Sequence, residues 1–146
     1  MLYHSVVTKE SDAGPKLRVK QESKAPGARG QWVVGWRLQN QGVDPLEILT
    51  ARCPHGKFRG KERELSPAPK LLPGESTRIE MPVACGEKPG TVVENAFLIL
   101  RVFWQDKAWQ VFARFTVAFD QDGAPECATE LVTTQPVGFS TEKAKR

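Results

Sequence analysis

Histidine is scarce in this 146-residue sequence: His4 and His55 are the two present, which removes the ordinary supply of general bases and of imidazole metal ligands. A blue-copper centre, which gathers two imidazoles and a thiolate, would have to use both of them. The sequence also lacks a G-x-S-x-G elbow, a phosphate-cradling glycine loop, an H-E-x-x-H pair and a dinucleotide fingerprint. No enzyme is expected, and no cofactor. Cysteine is limited to Cys53, Cys85 and Cys127, an odd number that cannot pair completely within one chain. Together with an N-terminus that lacks a basic region followed by an apolar stretch, this favours reduced thiols and a cytoplasmic location. The longest apolar run, Ala96, Phe97, Leu98, Ile99 and Leu100, is broken by Arg101 and falls far short of the ~20 residues that cross a bilayer, so no membrane association is expected. Helical periodicity is almost missing as well.

What remains is the make-up of a globular chain. It is 40% hydrophobic and 26% charged, with 21 Lys and Arg against 17 Asp and Glu, too apolar and too balanced for a disordered protein. A chain of this length buries roughly 68–70% of its unfolded surface and needs neither a disulfide framework nor a structural metal to fold. One domain over residues 1–136 is expected, followed by a flexible tail over 137–146.

Apolar and polar residues alternate in short segments separated by Pro, Gly, Asn and Asp, the pattern of strands and turns. Residues 31–39 put Trp32, Val34, Trp36 and Leu38 on one face and stop at Asn40, Gln41 and Gly42, where Asn and Gly tolerate positive φ in a turn. Residues 45–51 form a second strand that closes near Cys53, because Pro54 has no N–H to give to a ladder. Residues 57–64 are too polar for a core strand and read as a solvated loop. A turn over 71–75 precedes a third strand, residues 76–84, with Ile79, Met81 and Val83 on one face. Residues 95–120 fold back on themselves around Gln105, Asp106, Lys107 and Ala108. Pairing Trp104 with Trp109, Val102 with Val111, Leu100 with Ala113 and Leu98 with Phe115 makes one face of this hairpin apolar throughout. Residues 16–21 and 127–134 are further strands.

Seven to eight short strands without a helix predict an all-β, antiparallel, two-sheet immunoglobulin-like sandwich, with a small barrel as the second choice. The succession Trp32 to Leu38, Asn40-Gln41-Gly42, Leu72-Pro73-Gly74-Glu75 and then the long hairpin from Phe97 to Phe119 resembles the immunoglobulin-like and fibronectin type III-like sandwiches of bacterial proteins, and among them adhesion-related interaction modules. Sandwiches similar to the next-to-BRCA1 type, which bind partners in the cytoplasm, share the general pattern. The resemblance implies a non-enzymatic module that binds a protein partner or a second copy of itself.

Three groups of residues are candidates for function. Phe97, Ile99, Arg101 and Phe103 on one arm of the hairpin, with Phe112 and Arg114 on the other, point away from its apolar face. They supply the aromatic and Arg anchors of an interface, with Arg101 opposite Phe112 at cation–π range. The alternative is that a terminal segment, residues 1–7 or 131–137, covers them. Lys57, Arg59, Lys61 and Arg63 alternate around Phe58 and could track a polyanion, but Glu62 and Glu64 interleave and the net charge is only +4, so a nucleic-acid partner is disfavoured. Cys53 and His55, with Cys85 and Cys127, have the donor types of a zinc site but not its paired spacing, and no metal is assigned. The acidic stretch Asp120-Gln121-Asp122-Gly123 lacks the remaining ligands of a calcium loop.

Overall fold

The computed structural model describes residues 14–137. These residues form an all-strand antiparallel fold: β1 (Leu17–Pro26), β2 (Gln31–Asn40), β3 (Leu46–His55), β4 (Phe58–Glu64), β5 (Lys70–Leu71), β6 (Ser76–Ala84), β7 (Val92–Trp104), β8 (Lys107–Phe119) and β9 (Pro125–Pro136). All nine join one hydrogen-bonded sheet in the order β1-β2-β6-β4-β3-β7-β8-β9, with β5 on β3. The sheet curls until its two outer strands approach each other, giving a nearly closed barrel rather than two plainly separate sheets. The expected division into two layers survives at one place: β4 and β6 are joined through the single pair Arg59 and Ala84. Gly60 makes that joint possible, since a Cβ there would lie 3.0 Å from the Pro82 carbonyl oxygen and 3.2 Å from Met81 Cε.

The period-2 pattern fills the interior as the sequence predicts. Val34, Trp36 and Leu38 of β2, Met81 and Val83 of β6, Leu98, Leu100 and Val102 of β7, and Val111, Ala113 and Phe115 of β8 are all fully buried. Trp32 packs against this core at its margin. At the centre, the Trp36 and Phe115 rings lie 5.0 Å apart, and Phe58 meets Phe115 edge-on at 5.4 Å. The stack spans the barrel from β2 through β8 to β4. Trp104 and Trp109 form a second edge-on pair at 5.6 Å, near the turn of the long hairpin.

Several local expectations are corrected. The hairpin turn is Gln105 and Asp106 alone, both at positive φ (51° and 61°), the geometry of a type I′ turn whose twist matches the flanking strands. Trp104 therefore pairs with Lys107, and Val102, Leu100 and Leu98 face Trp109, Val111 and Ala113. The register differs by two residues from the expected one, which leaves every side chain on its expected face. Residues 58–64 are strand β4 and not a loop, and Phe58 is fully buried. Pro54 does not end β3: pairing with β7 stops at Arg52, so at Pro54 the strand has β4 alone for a neighbour and the missing N–H interrupts no second ladder.

Asn40 does not enter a positive-φ turn; it stays in β2 as the one buried polar residue of the described core. Its side-chain amide donates to the carbonyls of Asp44 and Leu71, both at 2.9 Å, and its Oδ1 accepts the Gly42 N–H. Its own carbonyl accepts the N–H of Gly74. Gly74 has φ 86°, and the Glu75 N–H donates to the Leu72 carbonyl, so Leu72-Pro73-Gly74-Glu75 is a type II turn. Residues 17–26 and 125–136 extend the two outer strands beyond their expected ends. Val137 donates its N–H to the Ala108 carbonyl, while the expected tail beyond it lies outside the described residues.

Closure between β1 and β9 uses side chains. No ladder pairs them among the described residues. Instead the Gln21 amide stands in for a peptide group, donating to the Pro125 carbonyl (3.1 Å) and accepting the Cys127 N–H (2.6 Å). Lys24 bridges Asp120 (2.8 Å) and Glu126 (2.6 Å) beside it.

Two predictions follow from this packing. Phe115→Ala removes the middle ring of the stack and should cost about 3–5 kcal/mol, read as a lowered urea midpoint; a loss below about 1 kcal/mol would contradict the packing. The Lys24 ammonium beside Asp120 holds that carboxyl below its ordinary range, with the backbone N–H groups of Ala124 and Asp122 adding to the effect. A lowered carboxyl contributes stability that is present above the ordinary carboxylate pKa and lost as pH falls through the lowered value. Acid titration should therefore lower the exchange protection of the Cys127 amide, measured against its intrinsic rate at each pH, before it does so at Leu98 or Val111.

Candidate functional site

The register of β3, β7, β8 and β9 builds an outward face in rows. Arg52, Ile99, Phe112 and Thr133 lie side by side in one row, and Thr50, Arg101, Gln110 and Gln135 in the next. Phe97, Arg114 and Leu131 form a third, and Glu47, Phe103 and Ala108 a fourth. Because inward positions alternate with these, filling the core with Leu98, Leu100, Val111 and Ala113 obliges the intervening residues to face out. Phe103 is 40% exposed and Leu131 47%, while Phe97 and Phe112 are half-buried and Ile99 is covered by its neighbours.

Charge on this face is partly neutralised. Arg114 lies 3.5 Å from Glu130, whose second oxygen accepts the Thr116 hydroxyl at 2.5 Å. Arg52 stands 3.9 Å from Glu62. Arg101, between Thr50 and Gln110, makes no ion pair and no cation–π contact with any described residue; the expected contact with Phe112 is not formed, because the two-residue shift in register sets Ile99 opposite Phe112. All six expected residues thus share one face. Leu131 was missed, since nothing in its own segment tells which strand β9 pairs with. Residues 131–136 run along the edge beside β8 and do not cross the face, and residues 1–7 lie outside the described part.

The basic row is broken. Lys57 sits in the turn between β3 and β4, where its N–H donates to His55 Nδ1 at 3.0 Å. A bulge separates Gly60 from Arg63 in the β4 pairing with β3, which disturbs the alternation on which the row depends. Arg59, Lys61 and Arg63 still line one shallow groove by the β4–β6 joint, with Glu62 among them, and Arg63 is bound to the Glu80 carbonyl at 2.7 Å.

The thiols gather toward one end of the barrel without forming a centre. Burial pushes Cys53 up from 9.0 to about 12. Burial and the nearby Glu87 push Cys85 up to about 11. Cys127 is also raised, by burial first and then by repulsion from Cys53, Cys85 and Glu126. All three are protonated thiols, which are poor nucleophiles and poor ligands. No group of three His, Cys, Asp or Glu side chains able to hold a metal occurs among the described residues, and His4 lies outside them. At the acidic stretch, Asp120 Oδ1 accepts the N–H groups of Asp122 and Ala124, each at 2.9 Å, and its other oxygen meets Lys24. That carboxylate is occupied in shaping its own turn. No described helix is long and apolar enough to cross a membrane.

Comparison with protein-family models and with the curated proteins finds no match for the chain in either.

A thiol titration checks the cysteine assignment. An aromatic disulfide reagent at pH 8 should leave the folded chain essentially unmodified and label all three thiols once denaturant is added; rapid labelling of the folded chain would mean a thiolate that this burial does not permit. A raised thiol contributes stability that is fully present below pH 9 and lost as pH rises toward the folded values, so unfolding should become easier from about pH 9 upward.

Proposed function

We propose that the chain is a non-enzymatic interaction module with an immunoglobulin-like sandwich plan, and that it binds a protein partner or a second copy of itself through the outward face of β3, β7, β8 and β9. The observation that carries the reading is the set of apolar side chains Phe97, Phe103, Phe112 and Leu131 on the outward face, across which no described strand or loop passes, with Phe103 and Leu131 exposed and Phe97 and Phe112 half-buried. An antiparallel sheet with one solvated face ordinarily alternates apolar-in with polar-out. Four large apolar side chains with three arginines among them make a face composed like the centre of an interface, where aromatic and Arg residues are enriched.

The strand order supports the sandwich plan. Within the single sheet β1, β2 and β6 are consecutive, as are β4, β3, β7 and β8, which matches the strand succession A-B-E and C′-C-F-G of immunoglobulin-type sandwiches, with β9 added beyond. The protonated, buried thiols and the structural use of Asp120 support a non-enzymatic role. Polyanion binding by Arg59, Lys61 and Arg63 is the weaker reading, since Glu62 shares their groove.

The test pairs Phe103→Glu with Leu131→Glu, two exposed positions whose change leaves the core intact. Sedimentation velocity on the wild type reads self-association, and crosslinked capture from a lysate of the source cells reads a foreign partner. A dimer or a captured protein that the double variant loses by about tenfold or more supports the face. A wild-type monomer that captures the same proteins as the double variant overturns it.

A further inference from the structure

The seam between β1 and β9 opens into a cleft of about 1150 Å³ between its two points of closure, with Gly14 and Thr134 at one end and the Gln21 clamp at the other. Three observations there are independent of the outward face. The first is backbone. The Gln41 N–H donates to the Lys16 carbonyl, so the bonds to β2 fall at alternate residues, and the N–H and C=O groups of Leu17 and Val19 point the other way, into the seam, where no ladder with β9 forms among the described residues. The second is a buried donor. Trp109 lines the cleft at 9% exposure with its indole N–H unpartnered among the described residues, as is the Thr129 hydroxyl of the neighbouring strand β9. The third is charge. Arg18 and Lys20 stand on the rim without an ion pair to any described residue, and no Asp or Glu is among the described residues that line the cleft.

We infer that this seam is a docking slot for an extended peptide segment in which acidic and apolar residues alternate. An added strand pairs with the seam-facing backbone groups of Leu17 and Val19, the mode by which sheet edges recognise peptides. Its alternation is dictated by β1 itself, whose inward residues Leu17 and Val19 are apolar and whose outward residues Arg18 and Lys20 are basic. An apolar side chain of the peptide then settles over Val132, beside the Trp109 ring on which Gly14 packs, and the acidic residues next to it lie near Arg18 and Lys20, the opposite-charge pairing that neighbouring strands favour. Basic residues alone would protect a free edge from association. The seam-facing groups beneath them, in a cleft that no described carboxylate lines, fit a ligand better than a guard.

The probe is an acetylated, amidated octapeptide of alternating valine and glutamate, titrated at low ionic strength into the full-length, isotope-labelled chain. Shifts of the Leu17 and Val19 amides and of the Trp109 indole N–H are expected, weakening by about tenfold in the double variant Arg18→Glu with Lys20→Glu, and absent with the valine–lysine peptide. Both substituted residues are exposed, so the fold should be kept, and unchanged Leu98 and Val111 amides verify that. No shift at the seam overturns the inference, as do equal responses to the two peptides. Contacts from residues 1–13 to Leu17 and Val19 in the free protein would also overturn it, because the chain would then fill its own slot. Shifts confined to Phe97, Phe103 and Phe112 would overturn the seam while supporting the outward face; shifts confined to the seam leave the outward face to its own test.

Discussion

The fold depends on one contact above the others, the Trp36, Phe115 and Phe58 stack. A sheet that curls until its edges approach must fill the space it encloses at the density of a crystal, because a void forfeits dispersion on every wall. The three rings come from β2, β8 and β4, strands from different stretches of the curl, so their packing sets the distance between opposite walls. The single residue pair that joins β4 to β6 could not do so, and the side-chain clamps between β1 and β9 are too near the surface. Rings at the centre hold the walls apart and together; the hydrogen-bonded ladders then decide only which strands are neighbours.

Much of this was legible in the sequence because a strand has a period of 2. The alternation in β2, β6, β7 and β8 names the buried face residue by residue, and any error in pairing by an even number leaves that face unchanged. This is why the hairpin was assigned the right core from the wrong register. Apolar identity alone does not separate Leu98 facing Phe115 from Leu98 facing Ala113; the two-residue turn does, and Gln105-Asp106 is not the Asn-Gly pair that advertises a type I′ turn. The outward face was legible for the same reason, as the complement of the buried one.

What stayed hidden is whatever depends on strands distant in the chain. Strand β4 looks too charged for a sheet because six of its seven residues are polar or glycine, and only its place beside β3, with Phe58 inserted below the rings, makes it a strand. Pro54 is tolerated because β7 happens to leave β3 two residues earlier. Asn40 resembles a turn residue, and its role as a buried junction comes from the arrival of Leu71 and Gly74 at its amide and carbonyl. The Gln21 clamp has no local signature at all, since any exposed strand can carry a glutamine. Each of these is decided by which strands and side chains meet in the folded molecule, which pattern and propensity do not encode.

The seam and the core also differ in strength. Removing a ring from the centre of a packed interior costs several kcal/mol, whereas a side-chain hydrogen bond such as those of Gln21 contributes about 0.5–1.5 kcal/mol net and an exposed ion pair such as that of Lys24 adds little. Local opening between β1 and β9 is therefore far cheaper than unfolding, because it breaks the clamp and leaves the rings and the ladders of β2 through β8 in place. A barrel closed by a complete ladder would have no such line of weakness, and would also leave no backbone group free along it. The choice of side chains over a ladder at this one junction gives the molecule an edge that can part without loss of the core, and the Leu17 and Val19 groups that no described ladder takes up on that side are its direct consequence.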